Sequence, residues 1–145
     1  MIADEVMTRD PISVTEQSSI SDALSLLAEQ GIRHLPVTRG AEVVGILSDR
    51  DFRALGLEVV HDLASYDRLR ARLSQPVSTL MSSDVITVDR DADAADIVEV
   101  MLEERLSALP VVESGTRELL GIVSYVDLLR ATQPLLAAEE DEEER

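Results

Sequence analysis

The sequence predicts an α/β or α+β protein made of two copies of one strand–helix–strand–strand–helix unit, and three observations predict it. The stretch Val6-Met7-Thr8 with Asp10-Pro11-Ile12-Ser13-Val14 returns as Leu80-Met81-Ser82 with Asp84-Val85-Ile86-Thr87-Val88, an offset of 74 residues. An amphipathic helical spacing returns at the same offset, Ile20, Ala23, Leu24, Leu27 and Ala28 matching Ala94, Ile97, Val98, Met101 and Leu102. Leu35-Pro36-Val37 returns as Leu109-Pro110-Val111, and Gly45-Ile46-Leu47-Ser48 returns as Gly121-Ile122-Val123-Ser124, now at an offset of 76.

Each element then follows in order. A short strand is expected near Ile12 to Val14, and again near Ile86 to Val88. The helix after it starts at Ser18 or Ser19, whose hydroxyl can cap free amides, and in the first copy it ends at Gly31. Apolar runs Leu35 to Thr38 and Val43 to Ser48 flank the turn signal Arg39-Gly40 and read as a hairpin. Ala108 to Val112 and Glu118 to Ser124 flank Ser114-Gly115 likewise, and the two extra residues of the second copy fall in that turn. A second helix begins at Asp49 or Tyr125. The division expected is a first repeat over 1–58, a helical linker over 59–78 with its helix at Ala64 to Leu73, a second repeat over 79–133 and an acidic tail over 134–145. The tail ends in six acids and one arginine, so it carries −5 of the net charge of −16 and reads as a solvated, frayed end.

Composition excludes several functions. A basic face is needed to displace counterions from a phosphate backbone, and 29 acids against 13 arginines make nucleic acid and anionic membranes poor partners. Three aromatics (Phe52, Tyr66, Tyr125) offer no stacking platform for bases. Without lysine there is no Schiff-base or P-loop lysine, and without cysteine there is no thiolate chemistry or Cys-ligated zinc. The opening MIADEVMTRDP has no apolar core of a signal peptide, so the cytoplasm is the expected location.

The two Gly-h-h-Ser-x-x-Asp motifs (h, apolar), Gly45 to Asp51 and Gly121 to Asp127, stand in register with two Leu-Pro-Val strands and two matching helices. This constellation resembles a tandem pair of CBS domains, the Bateman module, over roughly residues 6 to 132, with no separate catalytic or membrane domain left over. The resemblance implies repeats packed through their sheets with pseudo-two-fold symmetry, clefts between them that take AMP, ADP, ATP or S-adenosylmethionine, and a regulatory rather than enzymatic role. It assigns Ser48 and Ser124 to phosphate, Asp51 and Asp127 to ribose, and the base to Thr8, Ser82 and the strands around Pro36 and Pro110. It also gives Arg33, His34 and Arg50 to phosphates in the first repeat, where the second has Ser107, Ala108 and Val126. Ser107 and Ala108 offer a small edge suited to a base, so the two sites are expected to differ in affinity.

Residue chemistry bears on the same positions. A strand-to-helix junction presents amides that lack intrahelical acceptors, and an Asp one turn on can accept from both hydroxyls of a ribose. The same residues are equally explained without a ligand, as an N-cap serine and an acid favoured by the helix dipole. Arg33 stands between an anion contact and a surface ion pair, and His34 between an anion contact with a pH dependence and a packed strand residue. A body charge near −11 repels polyphosphates unless arginines or Mg²⁺ offset it. Ser48, His34 and Asp51 lack the Gly-x-Ser-x-Gly elbow of a hydrolase, and the second repeat has no histidine, so no catalytic residue is expected. No metal ligand set is expected either: His34 and His61 lack ligand spacing, and Asp89, Asp91, Asp93 and Asp96 match acids at a helix start. A homodimer with its seam on the outward helices is expected with or without a ligand, and the competing reading is a ligand-free dimerisation or scaffold module acting on a partner protein.

Overall fold

The computed structural model describes residues 1–55 and 62–143, so His61 and the first part of the expected linker lie outside the described residues. In chain order the elements are α1 (Ala3–Val6), β1 (Thr8–Arg9), β2 (Val14–Thr15), α2 (Ile20–Gln30), β3 (His34–Arg39), β4 (Glu42–Ser48), α3 (Asp49–Arg53), α4 (Leu63–Leu73), β5 (Val88–Asp89), α5 (Ala94–Glu104), β6 (Ala108–Val112), β7 (Leu119–Ser124) and α6 (Tyr125–Glu143). They form two compact units, one of Ile12–Val85 and one of Met1–Pro11 with Ile86–Arg145.

The Ile12–Val85 unit is a three-stranded sheet in the order β2-β3-β4. β2 runs parallel to β3 with α2 as the crossover, and β3 turns back antiparallel into β4 at Gly40, whose φ of 60° a side chain would strain. Ser19 caps α2 by accepting from the Asp22 amide at 3.0 Å, and Gly31 closes it at φ 61°. The buried face of α2 (Ile20, Ala23, Leu27) packs on Leu35, Val37 and Leu47, with Phe52 and Val77 completing the core. Asp62 caps α4 by accepting from Ser65 N–H at 2.7 Å, which starts that helix one residue before the expected Ala64.

The other unit repeats the plan with an extra strand, in the order β1-β7-β6-β5. Ala94, Ile97 and Met101 of α5 pack on Leu109, Val111, Val123 and Leu128, and Ala3 and Met7 join them from the N-terminal segment. α5 is capped by Asp93, which accepts from the Ala95 amide at 3.0 Å, and it ends on Arg105 at φ 55°, the left-handed position that Gly31 fills in α2.

Two expectations are corrected. The short strands sit later than Ile12 to Val14 and Ile86 to Val88, because only Val14–Thr15 and Val88–Asp89 reach the parallel partners Val37–Thr38 and Val111–Val112. The end expected to fray from Glu139 is helical as far as Glu143: α6 continues through Pro134, and Gln133 to Glu140 are exposed. Extending an existing helix needs no new nucleus, and Leu135 to Glu140 are strong helix formers.

The segments that open each repeat do not pair with the strands that follow them in sequence. β1 lies antiparallel on β7, with Thr8 opposite Ile122 and Arg9 opposite Gly121, while Ser82 bridges to Ile46 of β4. Ile46 and Ser82 exchange both backbone hydrogen bonds at 3.1 Å. The glycine of each motif makes room for this approach. A Cβ on Gly121 would stand 2.8 Å from the Thr8 carbonyl oxygen and overlap Met7 Sδ, and one on Gly45 would overlap Met81 Sδ. An ion-pair clasp fixes the N-terminal segment further: Asp4 meets Arg9 at 2.8 Å and Arg90 at 2.9 Å, and Arg90 also meets Glu113 at 2.9 Å. The hydrogen bond from Arg9, reinforced by Arg90, holds the Asp4 carboxyl below the ordinary aspartate value.

Candidate functional site

Strand alternation sorts the residues of each motif onto two faces. In the Ile12–Val85 unit Leu35, Val37 and Leu47 point into the core, so His34, Pro36, Ile46 and Ser48 share the opposite face. Register places His34 beside Ser48 and Pro36 beside Ile46, and the Ser82 bridge extends the second pair into a row, Pro36-Ile46-Ser82. The other unit builds the same pattern from Ala108 beside Ser124 and the row Pro110-Ile122-Thr8. The sequence-predicted residues therefore assemble as two sets. Thr8 stands with Pro110, Ser124 and Asp127, and Ser82 stands with Pro36, Ser48 and Asp51. Ile46 and Ile122, at the centre of each row, were not singled out from sequence, although the alternation of the Gly-h-h-Ser motif carried the signal.

Each Ser–Asp pair is a closed hydrogen-bonded unit. Asp51 Oδ2 accepts from Ser48 N–H at 2.8 Å and from Ser48 Oγ at 3.3 Å. Asp127 Oδ2 accepts from Ser124 N–H at 2.8 Å and Ser124 Oγ at 3.0 Å, while Ser124 Oγ accepts from Asp127 N–H at 3.2 Å. This is the reciprocal capping box, so capping accounts for both serines as they stand. The first helical amides are also taken, Asp49 N–H by the Arg33 carbonyl and Tyr125 N–H by the Ser107 carbonyl, each at 3.0 Å. One carboxylate oxygen, Oδ1, remains on each aspartate, with the nearest cation to Asp127 Oδ1 being Arg130 at 4.0 Å. A partly buried carboxylate oxygen held in place by its own helix cap is a ready acceptor for a ligand hydroxyl.

The strand ends differ in charge. His34 is half-buried, and that burial holds its imidazole below the ordinary histidine value; Arg33 and Arg50 act in the same direction, against Asp49 and Asp51. Its counterpart Ala108 is a buried methyl. Asp49 pairs with Arg53 at 3.0 Å, whereas Arg33 and Arg50 are exposed and enter no ion pair among the described residues. Asp93 and Asp91 are occupied as a helix cap and as the acceptor of Ser114 Oγ at 3.1 Å, and no metal-holding group of three or more His, Cys, Asp or Glu occurs among the described residues.

The same two stretches that build these sets match the CBS domain family, over residues 2–58 and 77–133. The chain belongs to the CBS domain family. As a CBS pair it is similar in structure to a putative acetoin utilization protein (AcuB) of Vibrio cholerae, with a TM-score of 0.78, 25% identity, and coverage of 97% of this chain and 96% of that one. The structure of CBSX2 in complex with AMP is similar at a TM-score of 0.76 and 26% identity, covering 92% and 97% of the two chains. Among curated relatives, uncharacterized protein MJ1225 of Methanocaldococcus jannaschii is 29% identical over 89% of this chain and 46% of its own length. The inosine-5'-monophosphate dehydrogenase of Korarchaeum cryptofilum is 33% identical over 96% of this chain but 26% of its own length. This CBS pair thus spans less than half the length of those two curated relatives. No helix among the described residues is long and apolar enough to cross a membrane.

Proposed function

We propose that the chain is a non-enzymatic regulatory module of the cytoplasm that binds an adenosine-containing ligand, AMP, ADP, ATP or S-adenosylmethionine, at the sets around Asp51 and Asp127. One observation carries the reading: in both units a carboxylate fixed through Oδ2 by its own helix cap follows a strand whose outer face carries the row Pro36-Ile46-Ser82 or Pro110-Ile122-Thr8, a layout suited to a ribose and a flat base. The AMP complex of CBSX2, whose chain is matched almost end to end, supports it. The module would act on a partner protein through a conformation the ligand prefers. No resident cofactor is required; Mg²⁺ enters only as a counterion to a polyphosphate.

Thermal unfolding of the full chain against each ligand, with and without Mg²⁺, tests this. A ligand at 100 times its dissociation constant is expected to add about 2.7 kcal/mol, or roughly 5 to 10 °C in Tm. Asp51→Asn and Asp127→Asn keep an oxygen for the cap while removing the charge, and at least one of them should abolish the shift. A midpoint unmoved by every ligand would reject the reading.

Homodimerisation, compatible with ligand binding and with a ligand-free scaffold alike, is favoured by the face between α5 and α6. Val98, Leu102, Tyr125 and Leu129 are exposed there along a groove of about 510 Å³ whose lining contains no carboxylate. In a chain of net charge −16, that face is where a second copy can approach without setting acid against acid. Leu102→Asp with Leu129→Asp is expected to convert a dimer to a monomer in sedimentation; an unchanged mass would place the seam elsewhere.

A further inference from the structure

The two units carry equivalent helix pairs that end differently. α3 is short, Asp49–Arg53, whereas its counterpart α6 runs for 19 residues to Glu143. Between α2 and α3 lies an open apolar groove of about 380 Å³, lined by Leu24, Ala28, Ile32 and Phe52 together with Arg33 and Arg53. The one carboxylate in that lining, Asp49, is already paired with Arg53 at 3.0 Å, and Arg33 is exposed with no ion pair among the described residues. The groove therefore carries a net positive charge in a chain with 29 acids and 13 arginines. The far half of α6 carries the opposite. Leu135 and Leu136 are 59% and 62% exposed, and Glu139, Glu140, Glu142 and Glu143 follow with no basic residue in the last turn. Acids at that end oppose the helix dipole, and Glu139 and Glu143 stand four apart as a like-charged pair, so a cation laid beside them stabilises the helix. The spacing also matches: Arg33 follows Ile32 directly, and Glu140 stands one turn, about 6 Å, beyond Leu136.

Resting on the homodimer reading above, and independent of any ligand, we infer that the copies pair unlike with unlike: the far half of α6 of one copy lies in the α2–α3 groove of the second, with Leu135 and Leu136 on Leu24, Ala28 and Ile32 and the glutamates beside Arg33 and Arg53. Pairing like with like would set the arginines of one groove against those of the other and leave the acids of α6 uncovered. The unlike pairing joins apolar to apolar and acid to arginine at once. Across a two-fold axis the same contact is made twice, which closes a dimer rather than a filament. The seam on the α5–α6 face then runs on along α6 to its acidic end, which serves as an arm reaching the partner copy.

The chain has no cysteine, so introduced thiols report the contact directly. Full-length Ala28→Cys and Leu136→Cys are mixed, allowed to exchange and treated with a short bis-maleimide; the mixture is expected to yield a species of twice the chain mass that neither variant yields alone. Leu136→Cys linking to itself, Ala28→Cys linking to itself, or a chain with both cysteines closing on itself at monomer mass overturns the inference. Sedimentation gives the second arm. Arg33→Glu should raise the dimer dissociation constant about tenfold, because the exposed ion pair is lost twice across the axis, and adding Glu139→Arg with Glu140→Arg to the same chain should recover the native value. An Arg33→Glu dimer as tight as the native one, or no recovery in the charge-swapped chain, overturns it as well. A native chain that dimerises without the mixed crosslink removes this inference alone, whereas one that stays monomeric at high micromolar concentration removes the homodimer reading and this one with it.

Discussion

Gly121→Val is expected to destabilise the protein by about 3 kcal/mol, near the upper end of what overpacking costs in a well-filled sheet. The first carbon added would stand 2.8 Å from the Thr8 carbonyl oxygen and would overlap Met7 Sδ. The thioether can swing aside, but the carbonyl belongs to backbone paired with Ile122, so β1 itself must move. Displacing β1 also shifts Met7, which is 9% exposed in the core, and the Asp4–Arg90 contact. Gly45→Val should cost less, because the backbone atom nearest its added carbon, the Ser82 carbonyl oxygen, is farther away at 3.2 Å. Chemical denaturation of the two variants gives the comparison. Equal losses, or none at Gly121, would show that the segment carrying Thr8 is not seated on β7 as described. The Gly121 variant should also lose ligand at the Asp127 site in proportion, since Thr8 stands in that row.

Ile97→Ala is expected to cost about 3 to 4 kcal/mol, the usual range for removing three carbons from a site that cannot collapse. Ile97 is fully buried on the core face of α5, and its neighbours are fixed from three directions, by Leu109 and Val111 of β6, Val123 of β7 and Ala3 of the N-terminal segment. Val98, the next residue and about 100° further round the same helix, is 40% exposed, and Val98→Ala should cost less than about 1 kcal/mol as a surface change. A denaturation midpoint that fell equally for both would mean that the periodic face assigned to the core is not the buried one.

Much of this was legible before any coordinates. The amphipathic helices, the hairpins, the serine cap of α2 and Gly31 at its end follow from local chemistry: spacing, a hydroxyl that caps, a residue without Cβ. Arg105 at the end of α5 was not legible, because a left-handed arginine carries no residue signature. The pairing of Thr8 with Ile122 and of Ser82 with Ile46 was also hidden. A repeat shows which segments are equivalent and not which partner each chooses, and the clue, a glycine inside a strand, marks only that some backbone comes close. At the site, the residue types fit both a cap and a ligand, and the distances show the cap: Oδ2 of each aspartate closes the start of its helix. The charge contrast between Arg33-His34 and Ser107-Ala108 was legible throughout, but the absence of ion pairs on Arg33 and Arg50 among the described residues was not, since any of 29 acids could have reached them.

The exchange of opening segments also has a topological meaning. One unit is a continuous run, Ile12–Val85, while the other is interrupted by it, Met1–Pro11 on one side and Ile86 onward on the other. In the vocabulary of gene construction the first is an insert and the second its host. A cut in the stretch separating the sequence repeats would therefore yield two fragments that each carry a piece of the other's sheet edge. Excision at Ile12 and Val85 instead removes a segment that keeps its own strands, its own glycine and methionine contact and its own Ser–Asp cap, so the Asp51 site travels with its unit as one cassette.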